Sequence, residues 1–317
     1  MQRPASPYAL GATLDMPIVH PDALDVLAGR KVKGLRSVVL CLEDALAETD
    51  VEAGLATLRR LVAALGEEGP RDPATTPLAF LRPRNLAMAD AVSRWEGLDA
   101  AFHGIVAPKV RPTRVAAWRE AVEGTELLLM PTLETEEILD PFAVRDLRDE
   151  LREEGGGRIL ALRVGGNDLL SCLGVRRMRG ATLYEGPLQG AVSTLLGLMV
   201  PAGFRLTSPV FEILDQPGVL AEELRRDVAW GFVGKTVIHP GQVPAVHAAF
   251  GVTAEDLDAA RRILDAQALA VFKHGGAMCE PATHRSWANS ILERHAVYGT
   301  RGDEAAVAGD EAEAALA

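Results

Sequence analysis

The chain has 317 residues, of which 48% are hydrophobic and 24% charged, as is ordinary for a folded globular protein. Its net charge of −11 predicts a surface that repels nucleic-acid phosphates and anionic lipid, so neither nucleic acid nor a membrane is expected as a partner. The first residues lack the apolar stretch of a secretion signal, which predicts a cytoplasmic protein. Three widely spaced cysteines predict buried free thiols rather than disulfides or a zinc site.

Eight short apolar segments alternate with amphipathic segments of helical spacing. The predicted strands are residues 9–16, 37–42, 78–81, 104–108, 126–130, 159–164, 204–210 and 235–238. Near-continuous Val, Ile and Leu is typical of parallel strands covered on both faces. Eight strand–helix units therefore predict the α/β class and a closed (β/α)8 TIM barrel rather than an open sheet.

Three of the intervening segments, residues 50–65, 113–124 and 219–231, each carry a single apolar stripe and are predicted to be helices. Asp50 is placed to cap the first of them, and residues 66–76 are expected to form a surface loop.

The C-terminal part is predicted to differ from the barrel. We expect a barrel over residues 1–250, a helical extension over 251–300 and a disordered acidic tail over 301–317. Thr253 is placed to cap a helix that continues to Val271.

A glycine pair and a final helix complete the predicted extension. Gly275-Gly276 predicts a hinge, and the last helix, ending at Gly299, is expected to present one apolar face. That face comprises Trp287, Ile291, His295 and Tyr298.

Charged residues directly follow six of the predicted strands. They are Glu43 and Asp44, Arg82 and Arg84, Lys109, Glu134, Asp168 after Asn167, and His239. Any one of them is well explained as a helix cap or a solvated residue, but Arg and Lys are poor N-caps. Since the carboxyl ends of barrel strands form one rim, we expect these side chains to converge on one site.

The residue types at this rim favour a hard cation and an anionic substrate. Two carboxylates plus water are typical of Mg²⁺, and Glu134 with Asp168 is the best pair. The glycines before Asp168 allow backbone N–H groups to approach an anion. Arg82 is suited to holding a carboxylate or stabilising an enolate oxygen, with Arg84 as the alternative.

The order of these motifs resembles a known family. The matching pieces are Leu42-Glu43-Asp44-Ala45, Phe80-Leu81-Arg82, Pro108-Lys109-Val110, Pro131-Thr132-Leu133-Glu134-Thr135, residues 165–169 and Gly234-Lys235-Thr236-Val237-Ile238-His239-Pro240-Gly241-Gln242. Over residues 8–300 the chain resembles the citrate lyase β-subunit-like branch of the 4-hydroxy-2-oxo-heptanedioate aldolase/citrate lyase superfamily.

The resemblance implies a Mg²⁺-dependent barrel, with Mn²⁺ as an alternative metal, that acts on small carboxylic acids, often as coenzyme A thioesters. Glu134 and Asp168 would be the metal ligands. Glu43 and Asp44 would orient the substrate-binding arginine and the metal-bound waters.

Substrate contacts follow from the same resemblance. Arg82 would bind the substrate carboxylate or carbonyl, and the backbone N–H groups of Gly166 and Asn167 would hold the distal carboxylate. Lys109, on the same rim, is expected to bind substrate as well.

A segment after the barrel bears on whether identical subunits associate. In relatives a Met-Ile-Asp-x-Pro segment enters a neighbouring subunit's site, and here residues 278–281 read Met-Cys-Glu-Pro. The resemblance thus implies a homo-oligomer, a trimer by analogy, with Glu280 as a catalytic residue. The alternative is that the last helix packs across its own barrel and leaves Glu280 solvated.

The sequence therefore predicts a carbon–carbon lyase of retro-aldol or Claisen type, with Asp44 or Glu280 as the base. A class II pyruvate-type aldolase on free 2-oxo acids is the first alternative, and His239 alone favours it. A barrel that only binds is the second, and the intact pair of Glu134 and Asp168 argues against it.

Overall fold

The structure, a computed structural model, describes residues 6–69, 72–155 and 157–301. The chain divides between Val243 and Pro244 into two compact units. The strands are β1 Gly11–Pro17, β2 Ser37–Cys41, β3 Leu78–Arg82, β4 Gly104–Ala107, β5 Leu128–Leu133, β6 Leu162–Val164, β7 Leu206–Thr207, β8 Gly234–Val237, β9 Phe272–His274 and β10 Ala277–Cys279. The helices are α1 Ala23–Leu27, α2 Val51–Glu68, α3 Leu86–Ser93, α4 Leu98–Ala101, α5 Val115–Ala121, α6 Pro141–Glu154, α7 Gly166–Cys172, α8 Gln189–Met199, α9 Pro217–Ala229, α10 Val243–Phe250, α11 Ala254–Leu264 and α12 Pro281–Tyr298.

The first eight strands form one parallel sheet in the order β7-β6-β5-β4-β3-β2-β1-β8. Backbone hydrogen bonds from Val233 to Leu206 (2.9 Å) and from Ser208 to Gly234 (2.8 Å) connect β7 to β8 and close the sheet. The predicted (β/α)8 barrel is confirmed, and each predicted strand overlaps an observed one. The bounds differ most at β7, which keeps two residues, and at β5, which continues to Leu133.

An apolar layer fills the barrel interior. Its buried members are Leu10, Val39, Phe80, Val106, Met130 and Ala161. Val39, Phe80 and Met130 lie on β2, β3 and β5. Because side chains on a strand alternate between faces, the residue two positions later on each of these strands lies on the same face, one layer nearer the carboxyl-end rim. The next layer toward the rim therefore rests on apolar side chains.

The helix α2 corrects two predictions. It continues to Glu68, so the expected loop at 66–76 begins later than predicted. Asp50 occupies the N-cap position but its side chain makes no capping bond, because its φ of −103° and ψ of 2° depart from the extended conformation that capping needs.

A buried charge network connects α9 to β8. The Lys235 Nζ lies 2.9 Å from both Glu223 Oε1 and Asp227 Oδ2. Arg177 donates to Glu223 (2.5 Å), and the Tyr184 hydroxyl donates to Asp227. The Coulombic field of the two carboxylates outweighs burial and holds the pKa of Lys235 above its usual value, so the cluster is a set of mutually dependent charges.

The second unit contains a hairpin that the sequence did not predict. The hydroxyl of Thr253 accepts from the Asp256 N–H at 3.0 Å, so this predicted cap is present, but α11 ends at Leu264 and not at Val271. Gly275 and Gly276 form the turn between the antiparallel strands β9 and β10 rather than a hinge. Both have positive φ, as a type I′ hairpin turn requires.

The last helix buries a slightly different face from the one predicted. Ile291 and Tyr298 are buried, but Trp287 is 41% exposed and Ala288 takes its place. The helix ends before Gly299, which has a φ of 69°.

Two further predictions concern the cysteines and the tail. Cys41 and Cys279 are buried, as expected, whereas Cys172 is exposed and corrects the prediction. The predicted acidic tail lies outside the described residues from position 302 onward. Within the described ranges, none of the helices has the length and apolarity that a membrane crossing needs.

Candidate active site

The carboxyl ends of the strands surround a cavity of about 390 Å³ in the first unit. Its lining includes Asp15, Cys41, Asp44, Arg82, Thr132, Glu134, Arg163, Gly165, Gly166, Asn167, Asp168 and Thr236. The residues proposed from the sequence on β2 to β6 thus lie in or beside one pocket.

Arg82, the last residue of β3, connects three carboxylates. Its Nη2 lies 2.6 Å from Glu43 Oε2, 3.1 Å from Asp44 Oδ2 and 3.1 Å from Glu134 Oε1. The Arg82 side chain is 11% exposed, and its buried Nε has no partner among the described residues. Arg84 instead pairs with the exposed Glu48 and the Leu46 carbonyl, and of the two arginines it is Arg82 that lines the cavity.

Lys109 follows β4 in a left-handed backbone conformation, with a φ of 49°. This conformation is costly for a residue with a Cβ and is common at functional sites. It directs the Lys109 N–H to Glu134 Oε1 at 2.8 Å. The Lys109 Nζ contacts Glu43 and lies 3.1 Å from Asp44 Oδ1.

Glu134, which follows β5, is held in an environment that opposes its charge. Its side chain is 1% exposed, and burial, reinforced by the charge of Asp168, raises its pKa to about 7 although Arg82 opposes the shift. Burial and the charge of Asp44 raise the pKa of Asp168 as well.

The backbone beside Glu134 leaves room for its carboxylate. A Cβ on Gly165 would lie 2.3 Å from the Glu134 Cβ and 2.5 Å from Oε2. Glycine is therefore required directly before α7 for Glu134 to keep this position.

The neighbouring carboxyl groups of Glu43 and Asp44 have pKa values shifted in opposite directions. Burial and the hydrogen bond with Asp44 raise the pKa of Glu43. Burial also acts on Asp44, but its hydrogen bond with Glu43 and the charges of Arg82 and Lys109 hold its pKa below the usual value. Asp44, whose side chain is 54% exposed, is therefore the more acidic of the two and faces the solvent side of the pocket.

The formal charges at the pocket do not cancel. Five carboxylates (Asp15, Glu43, Asp44, Glu134 and Asp168) face three cations (Arg82, Lys109 and Arg163), an excess of two negative charges. No three His, Cys, Asp or Glu side chains within the described ranges form a ready metal cluster. A divalent ion that takes two carboxylates and completes its shell with water and substrate oxygens fits this donor set.

Sequence reasoning missed a second group of pocket residues. Arg163 Nη2 lies 2.9 Å from Asp15 Oδ2 and donates to Thr236 Oγ1 at 2.9 Å. Asp15 and Arg163 are each a charged residue inside an otherwise apolar strand. That pattern is the signal by which the sequence could have identified them as pocket residues.

Of the remaining residues proposed from the sequence, two lie at the pocket and two are described by other contacts. Gly166 is buried and Asn167 exposed, both at the pocket. His239 is exposed and accepts from the Gly241 N–H, so it caps a turn. Glu280 is the N-cap residue of α12 in the second unit, where the Thr283 hydroxyl lies 3.3 Å from its Oε2.

Comparison with solved structures finds proteins that are similar to this chain over most of their length. The chain aligns with protein CitE from Mycobacterium tuberculosis, solved in complex with magnesium, acetoacetate and coenzyme A, at 26% identity and a TM-score of 0.63, covering 90% of this chain and 98% of that one. The citrate lyase β subunit from the same organism, complexed with oxaloacetate and magnesium, gives 25% identity and a TM-score of 0.53, covering 77% and 98%. RipC from Yersinia pestis, at 18% identity, a TM-score of 0.59 and coverage of 78% and 98%, shares the fold.

The sequence itself matches one family over nearly its whole length. No curated protein is similar enough to count as a match. A family described as carbon–carbon bond lyases of the TIM-barrel fold matches residues 4–300. This chain therefore belongs to the carbon–carbon bond lyases of the TIM-barrel fold.

Proposed function

We propose that this enzyme is a Mg²⁺-dependent lyase that cleaves a small hydroxy- or oxo-carboxylic acid by a retro-aldol or retro-Claisen reaction. The observation that carries the proposal is that Glu134 and Asp168 line one cavity beside Arg82, where burial raises the pKa of both carboxyl groups. The complex of the related CitE with magnesium, acetoacetate and coenzyme A supports both the metal and an acyl thioester as the form of the substrate.

Glu134 and Asp168 would hold the ion, with Mn²⁺ as an alternative to Mg²⁺. When bound, the ion supplies Lewis-acid polarisation of a substrate carbonyl. Glu134 keeps its orientation through the Lys109 N–H and Arg82.

Cleavage requires a base for the β-hydroxyl proton. Asp44 is an exposed carboxylate at the pocket whose pKa is held below its usual value, and Lys109 and Arg82 fix its orientation. As Asp44 takes the proton, the Cα–Cβ bond breaks and its electron pair forms an enolate on the acid or thioester fragment, which a proton then quenches. A fixed Arg82 guanidinium would stabilise the developing oxyanion by about 3 kcal/mol, on the scale of an oxyanion-hole donor.

Substrate carboxylates would be held at the same rim. Lys109 and the N–H groups of Gly166 and Asn167 provide further anion contacts, since α7 begins at Gly166 and its first N–H groups have no partner within the helix.

The proposal is tested by turnover of a panel of 3-hydroxyacyl-coenzyme A thioesters and free 4-hydroxy-2-oxo acids, with Mg²⁺, with Mn²⁺ and with EDTA. We expect metal-dependent formation of an aldehyde or oxo-acid from at least one thioester, and its loss in Glu134→Gln. Cleavage that persists in EDTA would contradict the metal role, and turnover of free oxo acids alone would move the assignment to a pyruvate-type aldolase.

We further propose a homo-oligomer, a trimer by analogy, in which Glu280 reaches the mouth of an adjacent subunit and serves as a catalytic residue. Exposed apolar side chains support an interface: Leu269, Val271 and Met278 lie close to Glu280 in the chain. The first unit also exposes apolar residues after α7, namely Leu173, Val175 and Met178.

Mixing two inactive variants, Arg82→Ala and Glu280→Ala, tests the shared site. If each site takes one residue from each of two chains, random exchange should restore about a quarter of wild-type activity, because half of the barrels and half of their neighbours are intact. Proven exchange with no recovery, while Glu280→Ala is inactive alone, would assign Glu280 to its own barrel.

A further inference from the structure

One layer inside the barrel is polar where barrels are ordinarily filled with branched apolar side chains. Thr132 and Arg163 are register partners on β5 and β6, each two residues after a member of the apolar layer. Asp15 on β1 and Thr236 on β8 line the same cavity. We refer to these four residues as the polar layer.

The charges of the polar layer satisfy each other. Arg163 is almost fully buried, and its Nη2 is 2.9 Å from Asp15 Oδ2 and from Thr236 Oγ1, with Nη1 3.4 Å from Asp15 Oδ1. Because Asp15 already neutralises the guanidinium, a second substrate carboxylate would meet a neutral pair and the nearby carboxylate of Asp15 itself. The polar layer is therefore better suited to an uncharged polar group.

A hydroxyl of the polar layer has no partner. Thr132 is 3% exposed, lines the cavity, and its Oγ1 makes no hydrogen bond within the described ranges. An unsatisfied buried hydroxyl is costly, and such a group in a native pocket calls for a ligand or water. Thr207, the register partner of Arg163 on β7, has a similarly unpartnered Oγ1 but is not among the residues that line the cavity.

We propose that the polar layer binds a hydroxyl group on the part of the substrate that enters the barrel, with Asp15 accepting its proton in a hydrogen bond and Thr132 contacting its oxygen. The substrates would then be acids with a hydroxyl substituent at this end rather than a methyl or alkyl group. The inference rests on the proposed function for the location of the substrate, and it adds a specificity determinant one layer below Glu134.

Binding of matched unreactive acids tests the proposal without turnover. Dissociation constants are measured by ligand-observed NMR with the full chain and Mg²⁺, for glycolate against acetate, 3-hydroxypropanoate against propanoate, and malonate as the dicarboxylate. We expect the hydroxy acid of at least one pair to bind about tenfold more tightly than its partner and more tightly than malonate, since a site that hydrogen-bonds a hydroxyl discriminates against analogues that lack it.

Two variants localise the effect. Thr132→Val removes the hydroxyl while keeping the shape, and should reduce the preference to about twofold or less, whereas the matched Thr207→Val should keep it. Asp15→Asn is the second test, because it keeps the shape and should weaken binding of the hydroxy acid but not of its alkyl partner.

Several results would overturn the proposal: no preference in either pair, tighter binding of malonate, binding of none of the acids, or a preference unchanged in Thr132→Val and Asp15→Asn. Failure of the proposed function has a different signature. It would appear as absent lyase turnover in a chain that still prefers the hydroxy acid, whereas failure of this inference would appear as absent preference in a chain that still cleaves its substrate.

Discussion

Replacing Glu134 with Gln removes a carboxylate whose ionisation opposes folding. The pKa of Glu134 is raised from an ordinary value of 4.5 to about 7, so above pH 4.5 the unfolded chain releases this proton while the folded chain retains it. Stability without metal should therefore fall as the pH rises, until the folded group has also ionised. From these two pKa values the penalty is about 1 kcal/mol at pH 5 and about 3 kcal/mol at pH 8.

Urea unfolding of the metal-free wild type and Glu134→Gln at both pH values measures this difference. Arg82 keeps its contacts with Glu43 and Asp44 in the variant, so the variant should fold. Relative to it, the wild type should lose about 2 kcal/mol between pH 5 and pH 8, and saturating Mg²⁺ should restore stability at pH 8 in the wild type alone. Parallel pH profiles, or equal stabilisation of both proteins by Mg²⁺, would refute the reasoning.

Two further substitutions separate the roles of neighbouring residues. Arg82→Lys should remain folded yet lower kcat/KM by about 100-fold, because an ammonium cannot reproduce contacts to three carboxylates, whereas Arg84→Lys should stay within about threefold. Steady-state kinetics decides this, and the reverse order would move the site to Arg84. Gly165→Ala places a Cβ 2.5 Å from Glu134 Oε2 and should cost about 1–3 kcal/mol and weaken Mg²⁺ binding. In the control Gly190→Ala, where a Cβ meets nothing within 4 Å, calorimetry should show unchanged metal binding; weakening in both variants would contradict the steric argument.

The pattern of the sequence was sufficient for the barrel and for the convergence of the charged residues that follow β2 to β6, because apolar strands and the charges that follow them are local signals. Arg82 and Glu134 are examples: each comes directly after a buried apolar segment. The ion pair of Arg163 with Asp15 joins residues 148 positions apart, and no local pattern reports which inward-facing residues meet across a barrel.

The same limit explains the errors in the C-terminal part. Gly275-Gly276 suits a hinge or a hairpin turn equally well, and only the pairing of β9 with β10 distinguishes them. Trp287 and Ala288 lie one position apart on a helix, so the direction of the buried face depends on what packs against it.

The buried network around Lys235 has a consequence for how this sequence can diverge. Replacing Lys235 alone would leave Glu223 paired with Arg177 but Asp227 buried with only the hydroxyls of Tyr184 and Ser208. Breaking such a set by one member costs about 3–5 kcal/mol. Replacing all members with apolar residues of similar volume is often nearly neutral. Substitution of these residues one at a time is therefore strongly destabilising. Homologues should carry it either complete or replaced as a whole, which makes it a marker of descent independent of the residues that perform the chemistry.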